Sequence, residues 1–319
     1  MWLLAGLCHL SAGWWPTTVS VERLEDELMN AIITAATGYS AADLQPFLVS
    51  VDRACPQAKV FLIVYNRDRV HIERLRDKYP FIEPVCVPHK LNRGGRVYRW
   101  IARHFIEDDY ATCSSLWKTL GRYSLHIMLE RFFLALELVQ AHRDSFNNVL
   151  LTDSRDVVFQ QDPFGRIGHN LVSGLEEKTI GDCSLNSGWI RDLYGADVHT
   201  CMSPCRIACA GVTLGPIAEV EKYLLEMCSE IWKCLSKVAL IAQYDQGIHN
   251  YLIYNGRVNL ELTDNQTGII ATLHHEDPSN IQTDAAAGVA IVQGKPPAIV
   301  HQYDRHRNLV AFFRQKLGN

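Results

Sequence analysis

The seven residues Lys59 to Tyr65, KVFLIVY, constrain the fold more than any other stretch. Five consecutive apolar side chains leave no polar face, so a strand made from them has to be covered on both sides, as in a parallel sheet between layers of helices. Its neighbours fit that arrangement. Ala31, Ile32, Ile33 and Thr34 read as an earlier buried strand, and Ala41 to about Ala54 as a helix. Arg67 to Lys78 alternates charge around Val70, Ile72 and Leu75, an amphipathic helix, and Ile82 to Val87 reads as a third strand. The succession is βαβαβ. It implies an α/β protein, Rossmann-like, with a mostly parallel central sheet and helices on both faces.

The remaining periodicities extend this plan. Ser20 caps a short acidic helix through Met29. Val97 to Phe105 and roughly Tyr123 to His142 are helical, the second with a wide stripe of Leu125, Met128, Leu129, Phe132, Phe133, Leu136 and Val139 that must be buried. Leu171 to Leu175 reads as a strand and Asn186, Ser187 and Gly188 as a tight loop. Cys209 to Gly215 is a small-residue strand ending in Gly-Pro, followed by a helix from Ile217 to about Lys233. The 319 residues, 48% hydrophobic, suffice for one large core. We divide them into an N-terminal segment, 1–29, and a single domain, 30–319.

Met1 to Trp15 is apolar, but it lacks a preceding Lys or Arg and falls short of the ~20 residues a spanning helix needs. We read it as a docked or interfacial segment, with peripheral membrane contact through Trp14 and Trp15 as one form of it. A net charge of -4 and a pI near 6.3 exclude a general basic footprint and set nucleic acid aside as a partner. Ten cysteines follow no zinc spacing, and Pro204 argues against one helix face carrying Cys201, Cys205 and Cys209. Free thiols suit a cytoplasmic or peripheral-membrane location; the sequon Asn265, Gln266, Thr267 keeps the secretory pathway as the alternative.

Chemistry concentrates in Val149 to Pro163, VLLTDSRDVVFQQDP. A buried strand, Val149 to Leu151, delivers Asp153 and Asp156 to its C-terminal edge, where ligands of open α/β sheets bind. Two carboxylates three residues apart can hold one hard divalent cation; equally, Asp153 can cap a solvated turn with Arg155 pairing a neighbour. Arg155 is either a contact to a ligand or a buried ion-pair partner that locks the turn. Thr34, Ala35 and Tyr39 lie where the first strand opens into a small-residue turn, near which a backbone can approach a ligand and Tyr39 can stack on a base. Arg131 either reaches a diphosphate or is a surface arginine. Ala210 and Gly211 leave room against the sheet, and Asp245 is a plausible N-cap of the helix carrying His249. His301 follows a short strand, Ala298 to Val300, and can ligate a metal. Neither GxGxxG nor GxxxxGK[ST] occurs.

Taken in order, VLLTDSRDVVFQQDPF, ACAGVTLG, DQGIHNYL and IVHQYDRH resemble the arrangement in GT-A nucleotide-diphospho-sugar glycosyltransferases over roughly residues 30 to 310. The D-x-x-D variant is most similar to the glycosyltransferase domains of procollagen lysyl hydroxylases. The resemblance implies Mn2+ (or Mg2+) held by Asp153, Asp156 and His301, and a nucleotide-sugar donor, a uridine derivative, cradled by the Thr34 to Tyr39 loop. It implies that Cys209 to Gly211 form the wall near the donor sugar and that Asp245 and Gln246 lie near the acceptor and the transferred sugar. Arg131 or Arg155 would add positive charge at the leaving diphosphate. The two-residue spacing departs from the commoner D-x-D and bears most on coordination by Asp153. The implied activity is metal-dependent sugar transfer to a hydroxyl of a glycan, lipid or protein acceptor that the sequence leaves open, along with inverting or retaining stereochemistry. Two other classes compete: a metal-dependent phosphohydrolase, although Ile32 to Tyr39 offers no carboxylate as nucleophile, and a non-catalytic nucleotide-sugar-binding protein.

Overall fold

A computed structural model describes residues 29–88, 110, 122, 125–238 and 244–318. The N-terminal segment, the acidic helix after Ser20 and the helix over Val97 to Phe105 lie outside the described residues; Met29, placed at that helix's end, begins the first strand.

Strands β1 (Met29–Ala35), β2 (Lys59–Tyr65), β3 (Ile82–Val87) and β4 (Phe146–Thr152) run parallel. Beyond β4 the sheet continues through β7 (Arg206–Pro216), β6 (Val172–Thr179) and β8 (Glu261–Thr263), giving the order β3-β2-β1-β4-β7-β6-β8. Only β7 opposes its neighbours, so the sheet is mostly parallel, as expected of the α/β class. Pro84 sits in β3, where the strand is at an edge and a missing N–H costs no ladder bond.

Alternation along β1 and β2 builds two cores. Ile33, Phe61 and Ile63 face α3 (Ile127–Ala141), α6 (Ile217–Lys233) and α7 (Tyr244–Tyr254); Ile32, Val60 and Leu62 face α1 (Ala41–Ala54), α2 (Arg69–Lys78) and α8 (Arg307–Leu317). The helices therefore cover both faces, as the unbroken apolar run of β2 requires. Ser40 caps α1 in a reciprocal bond with Asp43, satisfying two amides that the helix start would leave free. The long helix expected from Tyr123 begins at Ile127, with the His126 ring accepting from Met128 N–H.

Two expectations fail locally. Asn186, Ser187 and Gly188 do not form a tight loop: they lie inside α4 (Ser184–Tyr194), ahead of the short α5 (Ala196–Met202). Turn-favouring side chains are tolerated there because tertiary partners engage them, the Ser187 hydroxyl donating to the Ile180 carbonyl at 2.9 Å and the Asn186 amide donating to Cys183 Sγ. Asp245 is not an N-cap either. It is the second residue of α7, and its carboxylate faces Arg131.

A second sheet, β5 (Val157–Phe159), β12 (Ile299–His301) and β9 (Ile270–Thr272), lies under β4's C-terminal end, with a hairpin of β10 (Ile281–Asp284) and β11 (Val289–Val292) beside it. The register pairs His301 with Val157 across one side of β12 and with Thr272 across the other. Eight described cysteines are free thiols, as expected. The sequon asparagine is 1% exposed: the Asn265 amide donates to the Thr272 carbonyl and Glu276, and its oxygen accepts Thr272 N–H at 2.8 Å. No helix among the described residues is long and apolar enough to cross a membrane.

Candidate active site

Everything that forms the site hangs on the end of β4. The strand stops at Thr152, Asp153 N–H donates to the Gly211 carbonyl of β7 at 2.9 Å, and Ser154 Oγ donates to the Ala35 carbonyl of β1. The turn is thus pinned to both flanking strands. Asp156 then leads into β5, and its carbonyl accepts Gln302 N–H at 2.8 Å, which brings the residue after His301 alongside.

Asp153, Asp156 and His301 meet, with ligating atoms all within 4.8 Å of one another. His301 is 1% exposed, its Nε2 has no hydrogen-bond partner, and that nitrogen points at Asp153 Oδ2 from 3.7 Å. Its other ring nitrogen rests 3.6 Å from Cys209 Sγ, which fixes the ring's orientation. A buried ring nitrogen without a partner costs free energy unless something else occupies its lone pair. Two carboxylate oxygens and one imidazole make a hard, divalent-cation donor set, so the residues present fit Mn2+ or Mg2+. Gly211 completes the fit: a Cβ there would lie 2.3 Å from His301 Cε1 and 2.9 Å from Asp153 Oδ2. Only glycine lets β7 pass this close, which answers the expectation of room at Ala210 and Gly211.

The electrostatics agree. Burial works to raise the Asp153 carboxyl, but Arg131 and His301 outweigh it and hold Asp153 well below the usual carboxylate range. Burial, then the charge of Asp153, raises Asp156. Burial disfavours protonated His301, yet Cys209, Asp153 and Asp156 override it and push the imidazole well up. A field that draws a proton onto a buried imidazole is one that favours a cation among the same groups.

Arg131 is no surface arginine. It projects from α3 into the site, donating from Nη1 to Asp153 Oδ1 at 2.5 Å and from Nη2 to Asp245 Oδ2 at 3.0 Å. Burial first, then Asp153, raises Asp245, with Arg131 opposing. Gln246 turns its amide to Asn186 Oδ1 at 3.0 Å and Glu176 Oε1 at 3.3 Å. Thr34, Ala35, Arg131 and Ala210 surround a small void of about 20 Å³ beside the carboxylates. Tyr39 is half-buried near them, its phenol raised by burial and then by Asp153 and Asp156. Arg155 is not a buried lock: it is exposed at the turn, with no ion pair among the described residues. Only its carbonyl is engaged, by the Tyr303 hydroxyl.

The site opens into a cleft of about 370 Å³ that also takes in Glu176, Asn186, Trp189, His274 and Arg305. None of these stood out in the sequence as a site residue. Glu176 belongs to β6 and Asn186 to α4, and no local spacing links either to the D-x-x-D turn. His274 and His275 form an adjacent pair directly after an apolar strand, the one local signal that was available.

No family model matches the chain, and no curated protein does. Among solved structures it is similar to galactosyltransferase LgtC in complex with donor and acceptor sugar analogues, at 16% identity over 91% of this chain and 96% of that one, TM-score 0.46. An active-site mutant of LgtC aligns at 15% identity over 85% and 86%, TM-score 0.43. Likeness at this level says nothing of chemistry.

Proposed function

We propose that this chain is a metal-dependent glycosyltransferase that takes a sugar from a nucleoside diphosphate donor, a UDP-sugar by motif resemblance, and passes it to a hydroxyl acceptor. The observation that carries the reading is the meeting of Asp153, Asp156 and the partnerless His301 Nε2 at the strand ends of a cleft that also holds Arg131, Asp245 and Gln246. The two-residue spacing of the aspartates supports the finer kinship with the lysyl hydroxylase glycosyltransferase domains.

Asp153, Asp156 and His301 would hold Mn2+ or Mg2+, which supplies Lewis-acid stabilisation of the diphosphate as it leaves. Thr34, Ala35 and Tyr39 border the place for the nucleotide, with the Tyr39 ring as a stacking surface. Arg131 orients Asp153 and adds a fixed positive charge beside the carboxylates. Both Asp245 oxygens are engaged, Oδ2 by Arg131 and Oδ1 by Gln246 N–H, which supports a carboxylate that positions the sugar and stabilises positive charge rather than one that removes a proton. Gln246, held by Asn186 and Glu176, presents its amide to sugar hydroxyls. A phosphohydrolase finds no support in β1, which carries no carboxylate from Met29 to Ala35.

Melting temperature with UDP, GDP and CMP, each with and without Mn2+, tests the proposal on the native chain and Asp156→Ala. A ligand that binds the folded state raises the melting temperature by mass action. We expect UDP to stabilise only with Mn2+, and Asp156→Ala to abolish the shift. No shift with any nucleotide would overturn the reading. A shift without release of free UDP from a UDP-sugar under any acceptor would leave a binding protein instead.

A further inference from the structure

The small void beside β1 and the main cleft meet at Arg131 and Ala210, and their other lining residues differ. The cleft therefore leads away from Thr34 and Ala35, and there it has two unlike walls. One wall is apolar. Leu185 and Trp189 stand four residues apart on α4 and share one face of it, and Met128 of α3 joins them. Leu185 is 54% exposed, while the Trp189 side chain is half-buried. A Cβ at Gly247 of α7 would lie 3.0 Å from Trp189 Cβ, so the glycine lets α7 close on α4 and sets Trp189 beside Gln246.

The other wall offers hydrogen-bond acceptors. Gln246 Nε2 donates to Glu176 Oε1 and to Asn186 Oδ1, which uses both its hydrogens and leaves Gln246 Oε1 as an acceptor. Glu176 is 1% exposed, and its Oε2 has no hydrogen-bond partner. His275 Nε2 is 3.4 Å away but not aligned to bond it. A buried acceptor left unmet costs free energy, so this oxygen calls for a donor from the cleft.

We propose that the acceptor is a saccharide, one ring of which lies with its C–H face on Trp189, flanked by Leu185 and Met128, and turns its hydroxyls to Gln246 Oε1 and Glu176 Oε2. This rests on the transferase reading and names the acceptor class that reading left open. A sugar ring carries an apolar face and several hydroxyl donors at once, and so matches both walls. A lipid alcohol would cover the apolar wall and leave Glu176 against hydrocarbon, which is costly. A hydroxyl side chain of a peptide would bring one donor to two acceptors. In the transfer, the acceptor hydroxyl oxygen bonds to the anomeric carbon and the bond from that carbon to the diphosphate breaks. Its electron pair stays on the diphosphate oxygen, and the hydroxyl proton goes to the departing diphosphate.

The test measures free UDP released from UDP-glucose, UDP-galactose and their N-acetylamino counterparts with Mn2+. Each donor is run alone and with methyl glycosides of glucose, galactose and mannose, with a peptide containing serine, threonine and hydroxylysine, or with octanol. We expect a methyl glycoside, and neither peptide nor octanol, to raise release above the acceptor-free rate. Trp189→Ala should raise KM for that glycoside about tenfold with a smaller change in kcat, and Trp189→Phe, which keeps an aromatic face, should restore most of it. Leu185→Ala, at an exposed position, should raise KM by less. If UDP with Mn2+ raises the melting temperature yet no glycoside speeds release, or only peptide or octanol does, the saccharide assignment fails and the transferase reading stands. An unchanged KM in Trp189→Ala, or in Leu185→Ala where the larger truncation does not fold, would also overturn it. No melting shift with UDP and Mn2+ would instead remove the transferase reading, and this inference with it.

Discussion

On one side of β4 the sheet carries β1, β2 and β3; on the other it carries β7, β6 and β8, with the separate small sheet that holds His301 packed beside β6. The first side is a regular parallel array. Among described residues its buried polar atoms without partners are Thr34 Oγ1, His71 Nε2 and Tyr79 OH. On the second side the same condition holds for Glu176, Tyr194, Thr213, Thr272, His275, His301, Gln302 and Asp304, and three of these, Glu176, His301 and Gln302, line one cleft. Each such atom costs about 1–3 kcal/mol of folding free energy. On our proposal the difference marks where stability is given up for binding: one half of the sheet is a scaffold, and the other holds groups, Glu176 and His301 among them, whose partners arrive with ligand.

The comparison breaks most visibly through the cation set. Asp153→Asn removes one ligand and the partner of Arg131, and several kcal/mol of transition-state stabilisation should go with it. Sugar transfer should fall about a hundredfold or more, read as initial rates at saturating Mn2+. Phe61→Ala on the scaffold side should do the reverse. Phe61 is fully buried against Phe146 and His142, so its loss should cost about 3–5 kcal/mol in urea unfolding while cation affinity below the transition stays as it was.

Two smaller effects sharpen the contrast. His249 is buried like His301 but is satisfied, by the Tyr223 hydroxyl at 2.8 Å. Burial lowers its ring to about 3, so the unfolded chain takes up a proton near pH 6.5 that the folded chain refuses until about 3. Its contribution is complete above pH 6.5 and is lost as pH falls towards 3, at about 1.4 kcal/mol per unit. Melting temperature against pH should show that slope, and His249→Gln should flatten it. Smallest of all, Ser40→Ala removes the α1 cap and should cost about 1 kcal/mol, measured by denaturant midpoint, with no change in cation binding.

The same division separates what could be read from the chain in advance. β2, β3, α1 and α6 begin and end where apolar runs, caps and Gly-Pro signals place them, because each is decided by neighbours in sequence. Asp153, Asp156 and His301 were legible because strand ends mark ligand positions. The role of Arg131 was not. Nothing in its helix distinguishes it from an exposed arginine, since its partners are 22 and 114 residues away. Asn186 and Ser187 carry turn chemistry, and only contacts with the Ile180 to Cys183 segment and Gln246 hold them in a helix. Glu176 sits in a strand with Glu177 beside it, and pattern alone cannot say which one faces inward.

The buried sequon has a practical bearing on how this protein can be made. Attaching an oligosaccharide to Asn265 would substitute an amide nitrogen already bonded to the Thr272 carbonyl and to Glu276, on a side chain that is buried. A yeast or mammalian secretory host would therefore divide the product into an unmodified chain that folds and a modified one that is retained and degraded. A host without oligosaccharyltransferase on the synthesis route should give one uniform product, and Thr267→Ala, which removes the acceptor signal without touching the asparagine, should restore uniformity in the others.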